Sequence, residues 1–516
     1  MALVLHGTVV TFDDDHRILD PGAVYIGDDG RLAALRTPTQ RPPAGFSDAP
    51  HVDTDALILP GLIDLHNHIA YNTLPLWEAV GVPYLHHDRW VDERRPPDYS
   101  TTVTWPARVL GQAAPEALIK YVEVKALVGG TTAIQGAPRS TRSVDGWLLR
   151  IIDNEKLPLG TDMVMTAALQ QDADELRDER APLLDGTRVL IYHVAEGITG
   201  STVHREFDDL EPCLKPGLIG VHGTALTAPD FKKWRDAVAS IDPTEKGTVV
   251  WSPFSNLWLY HQTTNVLEAD RKGLRIALGS DWSPSGTKHV LGELKVADTV
   301  NRHALDGRFT DRDLCDMVTA NPGDALATAW GPQIGRLRPG SAADLLVLER
   351  HDPSDDPYRN LINATERHVH LVLVRGHPYY GTPELMTAAK ATAPDSITVA
   401  GTQRHVTVRQ PNRPDARLTW PDVEQELARV LDDPTTAWHE SQRTLAAWSG
   451  PLDAPGTPLR LFGDMPDGAP TTFAPGQIPP DLTIPPLDSL THDDDYFAAI
   501  TRTGIPDLQH LAPYYT

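Results

Sequence analysis

One pattern limits the fold of this chain more than any other. Eight short apolar stretches, at residues 56–65, 131–134, 148–152, 162–168, 187–193, 218–222, 248–251 and 274–279, follow one another along its middle. Residues 115–127 and 230–238, between some of them, carry helical patterning. Eight strands alternating with helices predict an α/β fold, a (β/α)8 TIM barrel over residues 57–333. An open doubly wound sheet is the competing arrangement, but its glycine-rich nucleotide turn is missing from the sequence.

The flanks read differently. Residues 3–12 are β-rich, and Asp28-Asp29-Gly30 marks a turn before residues 32–35. The same texture returns in IGRLRPGSAADLLVLE at residues 334–349 and HVHLVLV at residues 368–374. Residues 1–56 and 334–404 are therefore expected to build one small β-sandwich domain, split by the barrel. Residues 405–516 are expected to form an extension over the folded body, with one amphipathic helix at 421–431 and few other regular elements.

Composition removes several classes of function. Of 516 residues, 46 are Lys or Arg and 70 are Asp or Glu, so the formal charge is 46 − 70 = −24. A chain this acidic, with no local basic patch, is not expected to bind nucleic acid. No apolar run approaches membrane-spanning length, and no membrane partner is expected. The only cysteines are Cys213 and Cys315, which excludes a disulfide framework, thiolate zinc sites and iron–sulfur clusters. The N-terminus reads as a strand and turn rather than a signal peptide, so the expected compartment is the cytoplasm.

The chemistry sits at the strand ends. His66-Asn67-His68 closes the first strand, and residues two apart on a strand share a side. His193 and His222 close two further strands, and Asp281 follows another. The C-terminal rim of such a barrel is where side chains from separate strands converge. Imidazoles and a carboxylate suit zinc or ferrous iron, which make hydroxide available near neutral pH. Glu196, three residues past His193, is placed to move protons. Asp281 can bind metal and accept a proton from the attacking water, while His222 can bind metal or polarise the substrate. His368 and His370 form a second H-x-H pair, read as structural. Asp64 is expected to make a structural hydrogen bond, and His289 and His303 are expected on solvated helix positions.

The motifs PGLIDLHNH (residues 60–68), HVAEG (193–197), GVHGTAL (220–226), SPFSN (252–256) and LGSDWSPSG (278–286) resemble the amidohydrolase superfamily. The branch they resemble is that of the chlorohydrolases and the nucleobase, nucleoside and S-adenosylhomocysteine deaminases. The resemblance covers roughly residues 1–400. It implies that His66, His68, His193 and Asp281 bind one metal, that Glu196 shuttles protons, and that His222 contacts the substrate or nascent tetrahedral centre. It places Ser252 and Asn256 in the loop after the seventh strand. Residues 162–169 hold no Lys or Glu to bridge two metals, so one divalent ion is expected, zinc or alternatively iron. A homodimer is the family-level expectation. Gly197 and Gly223 depart from the deaminase pattern.

The insertion at residues 69–112 carries Tyr71, Trp77, Tyr84, Trp90 and Trp105 with His86, His87 and Arg89. Tyr71 and Trp90 are candidates for stacking on a planar substrate, Arg89 for an anionic group, and Ser252 and Asn256 for further substrate contacts. Trp258 and Tyr260 carry the same ambiguity between pocket and packing. The expected function is a metal-dependent hydrolase deaminating a small-molecule cyclic amidine or aminated N-heterocycle. The alternatives are hydrolysis of a cyclic amide or of a chloride leaving group, or a non-catalytic metal-binding protein.

Overall fold

The structure is a computed structural model that describes residues 2–78, 83–93, 95, 98–153, 164–167, 170–410, 417–450, 456–463, 478, 481–490 and 493–515. Both β-rich flanks enter one nine-stranded sheet. The strands Leu3–Val10, Ile18–Ile26, Leu32–Arg36 and His51–Pro60 come from the N-terminal flank. Leu345–Leu348, Val369–Val374, His377–Gly381, Asp395–Val399 and Thr402–Val406 come from the later one. The seam is the antiparallel pairing of Leu345–Leu348 with His51–Pro60, in which Leu346 faces Leu59.

The apolar run at residues 56–65 is not one strand. It breaks at Gly61: His51–Pro60 belongs to the nine-stranded sheet, and Leu62–Asp64 begins a parallel set. A Cβ at Gly61 would lie 2.1 Å from the Thr132 side chain, so the chain passes here only because the residue has none.

Among the described residues eight parallel strands follow in chain order, each hydrogen-bonded to the next within its sheet. Leu62–Asp64, Thr131–Ile134 and Arg150–Ile151 form one sheet. Val164–Ala167, Val189–Val194, Leu218–His222, Thr248–Trp251 and Arg275–Leu278 form another. The first and last strands meet through His68 N–H to Asp281 O at 2.9 Å and Asp281 N–H to His66 O at 3.0 Å. Among the described residues no pairing joins Arg150–Ile151 to Val164–Ala167, so the parallel set is not a closed barrel there. Parts of the candidate strand at 162–168 lie outside the described residues.

Alternation explains the layers. Val189 and Ile191 pack inward with Ile63, Leu65, Val221 and Val250. Leu190 and Tyr192 pack outward with Phe231 and Trp234 of the helix Ala228–Ile241. That helix starts with a capping box, Thr227 and Asp230 satisfying each other's backbone N–H. The helix Pro115–Val128 is buried almost all round, because the C-terminal extension covers its outer face.

The extension departs from expectation. It carries Trp420–Asp432 as expected, and also Pro434–Ala447 and Asp494–Thr503. His289 departs too. It caps the helix Val290–Ala304, fully buried, with Nε2 3.1 Å from Glu366 Oε1. His303 is exposed, as expected, and stacks on His510. No helix among the described residues is long and apolar enough to cross a membrane.

Candidate active site

The residues predicted as metal ligands converge. Asp281 Oδ1 lies 3.1 Å from His66 Nε2 and 3.4 Å from His68 Nε2. The His193 ring centre is 4.7 Å from that of His66 and 5.3 Å from that of His68. His222 closes the group, 5.0 Å from His66. Two sets bring one ligand atom from each residue within 4.8 Å of the others: His66 with His68 and Asp281, and His66 with His193 and His222. Strand direction alone does not achieve this. His222 and Asp281 take left-handed backbone, with φ of 64° and 62°, which turns each side chain as its strand ends.

The donor chemistry fits a divalent cation. His193 Nδ1 faces the Ala167 carbonyl at 3.4 Å, while its Nε2 has no hydrogen-bond partner among the described residues. That polarity leaves an imidazole lone pair aimed into the cluster. Burial pushes the pKa of His66 down and that of His193 well down, so both stay neutral. At Asp281 burial opposes the charge, but the imidazoles of His66, His222 and His68 outweigh it and hold the carboxyl below its ordinary range.

His222 differs from the others. The Asn256 side-chain amide sits 3.0 Å from its Nδ1, and Asn256 Oδ1 accepts from Thr264 Oγ1 at 3.2 Å, which points the Asn256 N–H at the ring. Nδ1 then accepts, and Nε2 carries the hydrogen. Burial lowers the His222 pKa to about 3. A neutral imidazole with Nε2–H is a hydrogen-bond donor rather than a ligand.

Glu196 is 2% exposed and lies 3.7 Å from His222 Nε2. Its Oε1 accepts the Tyr260 hydroxyl at 2.7 Å, and the Tyr260 oxygen accepts the Trp90 indole N–H at 3.1 Å. Burial raises its pKa to about 7, against the charge of nearby His87. His87 is itself held up to about 9: burial works against its charge, but the hydrogen bond and charge of Glu206 prevail. Asp64 makes the structural bonds expected of it, accepting from Ser280 N at 3.0 Å and Asn67 Nδ2 at 3.2 Å.

A cavity of about 330 Å³ opens beside His66, His68 and His193. Gln135, Arg139, Asp153 and Gln171 line it, and the sequence reading named none of them. Gln135 and Arg139 follow the second strand and Asp153 the third, so the strand-end rule that found the histidines also covered these positions. Tyr71 and Trp90 do not line this cavity. Tyr71 packs edge-on against Trp282 at 5.1 Å, and Trp90 lies 5.7 Å from the same ring. Arg89 turns toward Glu93 at 3.7 Å. Ser252 is fully buried at the start of the helix Pro253–Tyr260, one turn before Asn256.

Neutral imidazoles and an ionised carboxylate at the ends of parallel strands, beside a buried protonatable acid, define a metal-dependent hydrolase. Residues 181–379 match the sequence model of the amidohydrolase family. Residues 181–379 thus carry an amidohydrolase domain, and the chain is an amidohydrolase-type hydrolase acting on carbon–nitrogen bonds.

The chain is 26% identical over 390 residues to a 5'-deoxyadenosine deaminase of Methanothermobacter thermautotrophicus, covering 66% of this chain and 85% of that one. It is 26% identical over 409 residues to a 5-methylthioadenosine/S-adenosylhomocysteine deaminase of Syntrophobacter fumaroxidans, covering 70% and 87%. In fold it resembles a zinc-bound adenosine deaminase of Xanthomonas campestris, with a TM-score of 0.56, 18% identity and coverage of 73% and 92%. It also resembles the zinc complex of an atrazine chlorohydrolase from Arthrobacter aurescens, with a TM-score of 0.54, 16% identity and coverage of 84% and 100%.

Proposed function

We propose that the protein hydrolytically deaminates an aminated N-heterocycle, with adenosine derivatives the first class to test. The observation that carries this is Glu196, a buried acid poised near neutrality between Tyr260 and His222, facing the imidazole–carboxylate cluster. In this reading His66, His68, His193 and Asp281 hold one divalent ion, zinc before iron, which when bound supplies Lewis acidity.

The chain's own groups do the rest. Glu196 donates a proton to the ring nitrogen next to the amino-bearing carbon, and that carbon becomes electrophilic. Water adds there as Asp281 takes its proton. The His222 Nε2–H donates to the oxygen of the tetrahedral centre. The proton held by Asp281 then passes to the amino group, the new hydroxyl returns a proton to Glu196, ammonia leaves, and a ring carbonyl remains. Asn256 acts by fixing the His222 tautomer, and Trp90 by orienting Tyr260. Tyr71 and Ser252 pack behind this site and Arg89 pairs with Glu93, so this reading gives the three no direct contact with substrate.

The same reading carries a (β/α)8 barrel over residues 57–333 and a sandwich domain from 1–56 and 334–404. With these go an extension from 405 onward, a homodimer and a cytoplasmic location. A chloride on a comparable ring, or a cyclic amide, would meet the same groups, and the fold shared with a chlorohydrolase accords with the first. Ammonia release from a panel of aminated heterocycles, wild type beside Glu196→Gln, tests the proposal. Turnover by wild type that Glu196→Gln abolishes supports it. Turnover retained by Glu196→Gln rules the mechanism out, and metal binding with no turnover of any substrate favours a binding protein.

A further inference from the structure

The C-terminal extension reaches the rim of the cavity. Its short strand Leu461–Phe462 pairs antiparallel with Arg139–Ser140, so that Phe462 faces Arg139 and Leu461 faces Ser140. Around this pairing, Thr141 N–H donates to Arg460 O at 3.1 Å, and Arg460 N–H returns a bond to Thr141 Oγ1 at 3.2 Å. Thr141 Oγ1 also donates to Pro458 O at 2.7 Å, and Arg142 Nε to Thr457 O at 2.9 Å. A two-residue strand has no stability of its own. Here it is held by chain from more than three hundred residues away, and Arg139 is the residue it delivers to the cavity wall.

The charges lining that wall are unequal in their commitments. Asp153 accepts from the backbone N–H of Ala137 at 2.8 Å and of Gly136 at 3.3 Å. Glu175 accepts from the Gln171 amide and sits 3.5 Å from Arg180. The Arg139 guanidinium has no hydrogen-bond or ion-pair partner among the described residues. It is the one cavity-lining charge there that remains uncommitted. A guanidinium offers a planar fork of donors matched to carboxylate or phosphate. On a chain of formal charge −24, Arg139, exposed at the cavity rim, is a local cation that favours an anionic group there.

We propose that Arg139, set in place by the extension strand Leu461–Phe462, selects substrates in which a group joined to the reacting heterocycle, such as its sugar, carries a carboxylate or phosphate. This rests on the deaminase reading above and names its substrate class. It assigns the extension a part in specificity, and gives to Arg139 the anion-binding task expected of Arg89.

The test uses the metal-loaded full chain and three probes: adenosine, adenosine 5'-monophosphate and adenosine-5'-carboxylic acid. Ammonia release gives kcat/KM, and calorimetry gives Kd. Wild type should favour at least one anionic probe over adenosine, the two anionic arms telling phosphate from carboxylate. Arg139→Gln should shrink that preference about 10- to 100-fold, the range of a charge-assisted hydrogen bond, and Arg139→Lys should shrink it less. Thr141→Val, which loosens the strap, should erode the preference in proportion to the bonds lost. A preference unchanged in Arg139→Gln, or none in wild type, overturns the inference while leaving deamination standing. If no probe releases ammonia, the deaminase reading fails for these rings. Anion-dependent Kd values that Arg139→Gln abolishes would still support the anion site. Charge-independent binding, or no binding, would overturn it.

Discussion

Tyr260 donates its phenolic hydrogen to Glu196 Oε1 at 2.7 Å, and this bond fixes which carboxylate oxygen is left to face His222. A carboxyl that must give up a proton on demand needs both an orientation and a pKa near the working pH, and burial with Tyr260 supplies them. Glu196→Gln keeps the shape and removes the acid, so kcat should fall about 10²- to 10⁴-fold. Tyr260→Phe should lower kcat about 10- to 100-fold, the range for a hydrogen bond to a charged group, with KM changed less. The Tyr260 bond holds the Glu196 pKa down, so its loss should move the alkaline fall in activity, near pH 7 in wild type, to higher pH. A pH–rate profile of both variants checks this; unchanged kcat in Tyr260→Phe would remove Tyr260 from the account.

Gly136 passes over the carbonyl of Asn67, between the two histidines of the H-x-H pair. Its φ is +106°, and a Cβ there would lie 2.0 Å from the Asn67 oxygen. Both the backbone conformation and the close approach exclude a side chain. Gly136→Ala should cost about 1–3 kcal/mol of stability and displace His66 and His68 together. Denaturant unfolding and metal affinity measured on the same variant should both fall. Lost stability with unchanged metal affinity would mean the histidines tolerate the shift.

Glu366 ties three distant segments. It pairs with His289 at 3.1 Å and accepts the Ser489 backbone N–H at 3.0 Å. Burial opposes its charge, but the hydrogen bond and charge of His289, with Lys295, hold its pKa down to about 2, against an ordinary 4.5. A carboxyl depressed by folding gives stability that is fully present above its unfolded pKa and lost as pH falls through its folded one. Wild type should therefore lose stability between about pH 4.5 and 2. Glu366→Gln should cost about 1–3 kcal/mol near neutrality, where it removes the buried carboxylate that accepts from His289 and Ser489, and flatten that acid slope. Thermal unfolding across this pH range decides; parallel curves for the two proteins would contradict it.

The sequence exposed what is local and hid what is not. His66, His68, His193, His222 and Asp281 stood out because each closes an apolar run, and the structure brings all five together. The break at Gly61 was hidden because the run stays apolar on both sides, each half buried in a different sheet. The strand at Arg150–Ile151 is two residues long, too short for a periodic signal. Trp420–Asp432 announced itself by amphipathic spacing, whereas Pro434–Ala447 buries only Pro434, Ala437 and Trp438 and offered little pattern. His289 looked solvated because its partner Glu366 arrives from 77 residues away. Arg139 was overlooked for the same reason, since the strand that positions it lies in the extension. Tyr260 was read as ambiguous, and only the fold sets its hydroxyl against Glu196.

The central claim is that His66, His68, His193 and Asp281 form the seat of one catalytic metal, and metal content tests it most directly. The measurement is elemental mass spectrometry on protein purified without added metal, wild type beside His66→Ala/His68→Ala, with circular dichroism confirming that both are folded. The account predicts about one zinc or iron per wild-type chain and none in the folded double variant. A well-folded wild type that carries no metal, and takes up none from excess zinc or iron, would contradict it.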